Sequence, residues 1–385
     1  MRICFIAHSA EMYGAELALL ELLQGLVNEG ITCMVLVPEK GPFLAELDRM
    51  RVEWQIISYP AWRPRRRKIK NRFIRTFKAL LAAIPMAQAM ARWQPDVVYT
   101  NTVVIGAGAV AAWLARCPHV WHLHEFGYVN PEELFDLGNR RTARLIDSLS
   151  AMIIANSHAV KNEYARYVNP QKLHVVYQSV TLKEESEYAT ERTERKQVFT
   201  CVIVGSLQPL KGQQEAIAAL AELARRGFDT ELTIVGAGSS CFRQVLENDI
   251  KHYGLEQRVV FHGYIENPAA LIRAADVVLM CSRFESFGRV TVEAMLAGKP
   301  IIGAASGGTA ELIQDGKTGL LYKPGDYNDL AAKIQYLFEN PEKKLKLGAD
   351  ARTWAVGRFT QKRYARDVLD LLDGVLAKPA NTRHA

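Results

Sequence analysis

Glu285 and Glu293 stand eight residues apart in a stretch that begins Cys281-Ser282-Arg283-Phe284-Glu285-Ser286-Phe287-Gly288-Arg289 and continues into an apolar-periodic segment. The apolar run Val277 to Met280 precedes it. Glu285 is therefore expected on a loop at a strand's carboxyl end, with Glu293 about two helical turns on, at most roughly 12 Å further along. A helix beginning at Ser286, Phe287 and Gly288 would aim unpaired N–H groups and the positive end of its dipole beyond that strand, and Gly288 would let an anion approach the backbone. Two carboxylates beside an anion site suit one extended ligand, such as a sugar and a ribose joined through a diphosphate. Taken singly, Glu285 reads as a helix-start carboxylate and Glu293 as a surface residue; their joint spacing favours the ligand.

Other candidates fall at similar places. Lys211 closes Gly205-Ser206-Leu207-Gln208-Pro209-Leu210-Lys211-Gly212, between the run Phe199 to Val204 and a helical pattern; alone it is an ordinary exposed lysine, but in that loop its ammonium suits a phosphate. Gly236-Ala237-Gly238 follows Glu231 to Val235 and half matches a dinucleotide fingerprint. Cys241 stands where the third glycine belongs, and the run Val259 to Phe261 continues His262-Gly263-Tyr264 with no acid for a ribose, which argues against a dehydrogenase. His122 and His124 share one face of the run His119 to His124, with His124 nearer its carboxyl edge. A zinc chelate of His124 with Glu125 lacks a third ligand. Ser9 to Glu16 (SAEMYGAE) follows the first strand, with Gly14 at its turn.

Buried strands must position these residues. Runs suited to a parallel sheet recur at Ile3 to Ala7, Ile31 to Val37, Val97 to Thr100, His119 to His124 and Met152 to Ala155. A second series, Phe199 to Val204, Glu231 to Val235, Val259 to Phe261, Val277 to Met280 and Pro300 to Ile302, follows. Helix-length segments separate them, the rhythm of two tandem α/β sheets. The expected boundaries are 1–180, a charged connector 181–197 without period, 198–360, and 361–385. In the last, Tyr364, Val368, Leu371, Leu372 and Val375 mark an amphipathic helix. Sheets of this type bind ligands at their strands' carboxyl ends, so a cleft is expected where the two edges face.

The 385 residues fit two domains, and 49% hydrophobic with 23% charged residues excludes a disordered or fibrous chain. Six scattered cysteines show no metal or disulfide spacing and read as reduced thiols of a cytosolic protein. The apolar start to His8 reads as a strand rather than a signal peptide, and no run is long enough to span a bilayer. The net charge of +7 lies almost wholly before residue 180, and Arg63 to Lys78 (RPRRRKIKNRFIRTFK) contains no acid. This stretch leads into a helix whose Phe73, Phe77, Leu80, Leu81 and Ile84 share a face. Two readings stand: a solvated basic loop feeding a core-facing helix, or a surface for anionic lipid headgroups or a phosphorylated acceptor, at about 1 kcal/mol per basic residue. Nucleic acid is not expected, because no aromatic platform accompanies the charge.

The run E-S-F-G-R-V-T-V-E-A-M-L-A-G-K-P, Glu285 to Pro300, resembles the signature of the retaining nucleotide-sugar glycosyltransferases of family 4, two glutamates with seven residues between. Val204 to Gly212, Val235 to Gly238, His262 to Ile265, Gly307 to Ile313 and Gly316 to Leu320 extend the similarity. The resemblance implies an α/β fold of two facing Rossmann-like domains (GT-B type) with a cleft between them and a C-terminal helix crossing back. It implies that Glu285 contacts donor-sugar hydroxyls, Glu293 the ribose and Lys211 the diphosphate. Further donor contacts are implied at Gly14, Gly205, Ser206, Gly236, Gly238, Ile265, Ser286, Phe287 and Gly288. His124 is implied to orient and polarise the reacting sugar, so that the catalytic pair is His124 and Glu285.

Two departures stand out: Ser206 replaces an arginine common in the family, for which Arg283 or Arg289 is expected to compensate, and Tyr13 replaces a second glycine. No Asp-x-Asp occurs, so no metal or other cofactor is expected. The expected activity moves a hexose-type sugar from a nucleoside diphosphate to a glycan, lipid-linked or other hydroxyl acceptor. The expected location is the cytoplasm, with a peripheral position on the inner face of the membrane as the alternative. An epimerase or a non-catalytic sugar-nucleotide binder are the rival readings.

Overall fold

The computed structural model describes residues 1–62, 72–127, 135–182 and 198–377. The chain forms two units, Met1–Ser179 together with the segment from Thr360 onward, and Val180–Phe359. Most of the expected connector, from residue 183 to 197, lies outside the described residues.

The first unit contains, in chain order, β1 (Arg2–Ile6), α1 (Gly14–Asn28), β2 (Thr32–Val37), α2 (Phe43–Arg49), β3 (Glu53–Ile56), α3 (Arg72–Trp93), β4 (Val97–Asn101), α4 (Ala107–Leu114), β5 (His119–Leu123), α5 (Asn139–Leu149), β6 (Met152–Ala155), α6 (His158–Tyr164) and β7 (Leu173–Val175). Its parallel sheet runs β3-β2-β1-β4-β5-β6-β7. Every residue of β4, β5 and β6 is buried, so their apolar residues do not alternate with solvent-facing ones, and the polar Thr100, Asn101, His119 and His122 sit inside the fold with them.

The second unit repeats the plan with β8 (Phe199–Val204), α7 (Gln213–Arg225), β9 (Thr230–Val235), α8 (Ser240–His252), β10 (Val259–Gly263), α9 (Ala269–Ala274), β11 (Val277–Met280), α10 (Arg289–Leu296), β12 (Ile301–Ala304), α11 (Gly307–Leu312), β13 (Leu320–Tyr322), α12 (Tyr327–Glu339) and α13 (Pro341–Val356). Its sheet, also parallel, runs β10-β9-β8-β11-β12-β13. Chain order reverses between β8 and β11, where Val277 pairs with Cys201 and Leu279 with Ile203. That reversal is where sheets of this kind open a crevice for a ligand.

The last helix, α14 (Gln361–Leu376), packs on α1 in the first unit, burying Tyr364, Ala365, Val368, Leu372 and Val375. Gly25 of α1 makes this approach possible, since a Cβ there would stand 2.7 Å from the Gln361 carbonyl oxygen.

Two expectations need correction. The helix after Glu285 begins at Arg289, not at Ser286, because Gly288 precedes it in the left-handed region at φ +99°. The side of α3 that carries Phe77, Leu80, Leu81 and Ile84 is exposed, so the core-facing reading fails. The buried side is Ala79, Ala82, Ala83, Met86, Ala89, Met90 and Trp93, whose alanines let α4 come close with its own Ala107, Ala111 and Ala112. Residues 63–71 of the basic stretch and the Phe73 side chain lie outside the described ones.

Candidate active site

The loops that leave β8 and β11 lie on either side of the chain reversal in the second unit, and one ion pair joins them. Lys211 Nζ donates to Glu285 Oε2 at 2.8 Å, with the lysine side chain about a third exposed and the glutamate mostly buried. Lys211 ends a short 3₁₀ turn, Pro209–Lys211, and Gly212 starts α7 behind it in the left-handed region. Arg283 N–H donates to the Leu210 carbonyl at 3.0 Å, a second tie between the two loops.

Backbone contacts lace the neighbouring strand ends together. Gly205 N–H donates to the Val235 carbonyl at 2.9 Å, Leu207 N–H to Ala237 at 2.9 Å, and Gly236 N–H to Gly263 at 2.6 Å. Gly236 must be glycine: φ is +146°, and a Cβ would lie 2.0 Å from the Gly205 carbonyl oxygen. Gly238 presses on Leu207 in the same way, and Ser206 stays exposed at the rim, its carbonyl accepting from Gln213 Nε2 at 3.0 Å. Ile265 follows β10 by two residues and is half-buried.

Glu285 is held from behind by the start of α11. Gly308 N–H donates to the Glu285 carbonyl at 2.7 Å, and Gly307 sits at φ +54° with no room for a Cβ, which would meet that same carbonyl oxygen at 2.4 Å. Ser286 is half-buried, whereas the Phe287 side chain is a core residue that packs 5.9 Å from Phe359 between ring centroids. Phe287 can therefore offer a ligand only its backbone. Glu293 lies in the second turn of α10 and Arg289 at its first position, both half-buried. Arg283 is exposed and lies beside Gly325, whose N–H donates to Glu215 Oε1 at 2.8 Å. Burial raises the Glu215 carboxyl above its usual range, against the Gly325 N–H and the Arg283 charge.

In the first unit His124 stands one residue past β5 and is buried. Its Nε2 is 2.7 Å from Asn101 Oδ1 and its Nδ1 2.6 Å from Gln178 Nε2. Asn101 Nδ2 donates to the Ala15 carbonyl at 3.0 Å, which turns Oδ1 toward the histidine. With Asn101 Oδ1 turned toward it, Nε2–H donates to Asn101, and Gln178 at Nδ1 holds the ring in one orientation. His122 lies on the same face, its ring centroid 4.1 Å from that of His124, and its Nδ1 is 2.7 Å from Tyr99 Oη. Burial pushes the His122 imidazole down to about 3, and that of His119 as well, so both are neutral structural groups.

Gly14 is the first residue of α1, preceded by Tyr13, which is 53% exposed. The Ser9–Glu16 loop is tied down by Glu16, a fully buried carboxylate 2.6 Å from His8 Nδ1 that also accepts from Ser9 Oγ at 3.3 Å. Sequence reasoning passed over Asn101, Gln178, Glu16 and the part played by Gly307. Asn101, a polar residue at the end of an apolar strand, offered a signal; Gln178 offered none. Among the described residues no group of three or more His, Cys, Asp or Glu side chains converges as a metal site.

Comparison with known proteins accounts for both units. Residues 12–184 match the family model Glycosyltransferase Family 4, and residues 184–354 match Glycosyl transferases group 1. The chain is 30% identical to the N-acetyl-alpha-D-glucosaminyl L-malate synthase of Bacillus anthracis over 222 residues, 56% of this chain and 57% of that protein. It is 28% identical to the D-inositol 3-phosphate glycosyltransferase of Corynebacterium kroppenstedtii over 256 residues, 62% and 56% of the two. The matches thus span about half the length of these curated relatives. Among solved structures, Anabaena Alr3699/HepE in complex with UDP-glucose superposes with a TM-score of 0.80 at 26% identity, covering 97% of this chain and 100% of that one. With both halves matched in order and the two-Rossmann architecture shared, the chain belongs to the family 4 glycosyltransferases of GT-B fold.

Proposed function

We propose that the chain is a retaining glycosyltransferase that moves a hexose-type sugar from a nucleoside diphosphate to a hydroxyl of a glycan or lipid-linked acceptor, in cell-envelope or polysaccharide synthesis. The observation that carries this reading is the Lys211–Glu285 pair, a cation and a carboxylate on the two loops that flank the chain reversal of a parallel sheet. The complexes of Alr3699/HepE with UDP and with UDP-glucose support a uridine diphosphate donor.

Departure of the diphosphate builds charge on its oxygens, and the Lys211 ammonium stabilises that charge more strongly as it develops than in the ground state. The backbone at Gly205, Ser206, Gly236, Gly238, Ser286, Phe287 and Gly288 is assigned to the phosphates and sugar, Ile265 to the base, and Glu293 to the ribose. Arg283 and Arg289 are assigned the cationic share that Ser206 does not supply. Glu285, released from Lys211 as the phosphate takes the ammonium, accepts from sugar hydroxyls. His124 is assigned to orient and polarise the reacting sugar, its Nε2–H exchanging Asn101 Oδ1 for a sugar oxygen as the donor binds, and Gly14 to the loop that approaches the donor. Retention follows from attack on the face from which the diphosphate leaves, a leaving phosphate oxygen taking the acceptor's proton, so no carboxylate nucleophile is needed.

The acid-free basic stretch supports an acceptor that is phosphorylated or held at an anionic membrane surface. A panel of uridine and guanosine diphosphate sugars, screened by thermal stabilisation, tests the donor, since a ligand that binds only the folded state raises its Tm. The anomeric configuration of the product, read by NMR, then tests retention. A panel in which no nucleotide sugar stabilises the protein contradicts the reading.

A further inference from the structure

Helix α3 turns large apolar side chains outward. Ile74, Phe77, Leu80, Leu81 and Ile84 are each between 49% and 61% exposed, and they recur at three- and four-residue steps along one side. Its other side is already buried against α4, so the core of the unit makes no demand on this strip. An ordinary surface helix would carry charged pairs there. Here the chain has no Asp or Glu between Glu53 and Asp96, while nine Lys and Arg occur from Arg63 to Lys78. Exposed Lys78 sits within the strip's length, and Arg75 is spent on Asp136, to which it donates at 2.5 and 2.9 Å. No helix among the described residues is long and apolar enough to cross a membrane.

An outward apolar strip in a wholly cationic sequence context is the pattern of a helix that lies in the plane of an anionic bilayer, its side chains among the acyl chains and its cations at the headgroups. We propose that the α3 strip Ile74, Phe77, Leu80, Leu81 and Ile84 docks the first unit onto an anionic lipid surface. This deepens the acceptor reading above by naming the membrane and the element that meets it, and vesicle binding is measured without donor or acceptor, so either can fail alone.

The test is co-sedimentation with sucrose-loaded vesicles of phosphatidylcholine alone, or of phosphatidylcholine with one quarter phosphatidylglycerol. Purified full-length wild type is compared with Phe77→Ser/Leu81→Ser. Wild type is expected to bind the anionic vesicles at least about tenfold better than the neutral ones, and the double variant to lose at least about tenfold of that binding with an unchanged Tm. Equal vesicle binding by the variant overturns the proposal, as does a wild type that binds neither vesicle. A Tm lowered by several degrees would show the strip packed within the chain, and a lipid-free wild-type dimer that the variant dissociates would show it covered by a second copy; either result also overturns it.

Discussion

Lys211 Nζ lies 2.8 Å from Glu285 Oε2, so the cation assigned to the diphosphate and the carboxylate assigned to the sugar are partners of one another. The lysine side chain is about a third exposed, so solvent screens the pair and its contribution to folding is about 1 kcal/mol or less. Lys211→Met is therefore expected to leave Tm within a few degrees while transfer falls by about 100-fold or more. The charge swap Lys211→Glu with Glu285→Lys restores an ion pair but puts an anion at the phosphate position. Steady-state kinetics should find it inactive; recovered activity would make the pair merely structural.

Gly307 offers a sharper test of how Glu285 is held. Gly307→Ala forces a side chain into the left-handed region, at roughly 1–2 kcal/mol, and drives a Cβ against the Glu285 carbonyl. Gly227, at φ +86° with nothing within 4 Å of a Cβ, carries the same conformational penalty without the collision. Both alanine variants should lose stability in urea titrations, but donor affinity by calorimetry should fall only for Gly307→Ala.

Stability should fall in acid through the buried histidines. His119 and His122 protonate near 6.5 when unfolded but only at about 3 when folded, so their neutral forms favour the folded state. The contribution is fully present above about pH 6.5 and is lost as pH falls toward 3. Over that window the unfolded chain binds two more protons, a slope of up to about 2.7 kcal/mol per pH unit. Urea titrations between pH 7 and 5 should show this fall, and His122→Asn should flatten the slope by about half.

Metal independence is tested by chelation. With Lys211 and backbone amides assigned to the diphosphate, turnover in excess EDTA is expected to match that in magnesium or manganese. A strict requirement for either ion would assign the charge stabilisation to a metal instead.

Much of this architecture was legible because its central strands are buried on both faces. Val277–Met280 and Phe199–Val204 read as short apolar runs followed by polar loops, and those loops hold Glu285 and Lys211. Strands β7 and β13 went unread because three residues carry no period, and β3 because an edge strand with mostly exposed side chains looks like a loop. Pairings that cross the sheet left no trace in spacing: Lys211 and Glu285 are 74 residues apart, and His124 and Gln178 54 apart. Helix α3 misled because it is apolar on both sides. Side-chain size decides which side is inward, since only the alanines let α4 approach.

The central claim is that the loops after β8 and β11 grip a diphosphate through Lys211. Calorimetric titration of UDP and UMP into wild type and Lys211→Met tests it most directly. The account predicts that wild type prefers UDP by at least about tenfold and that the variant loses this preference while still binding UMP as wild type does. An unchanged preference for UDP in Lys211→Met would contradict it.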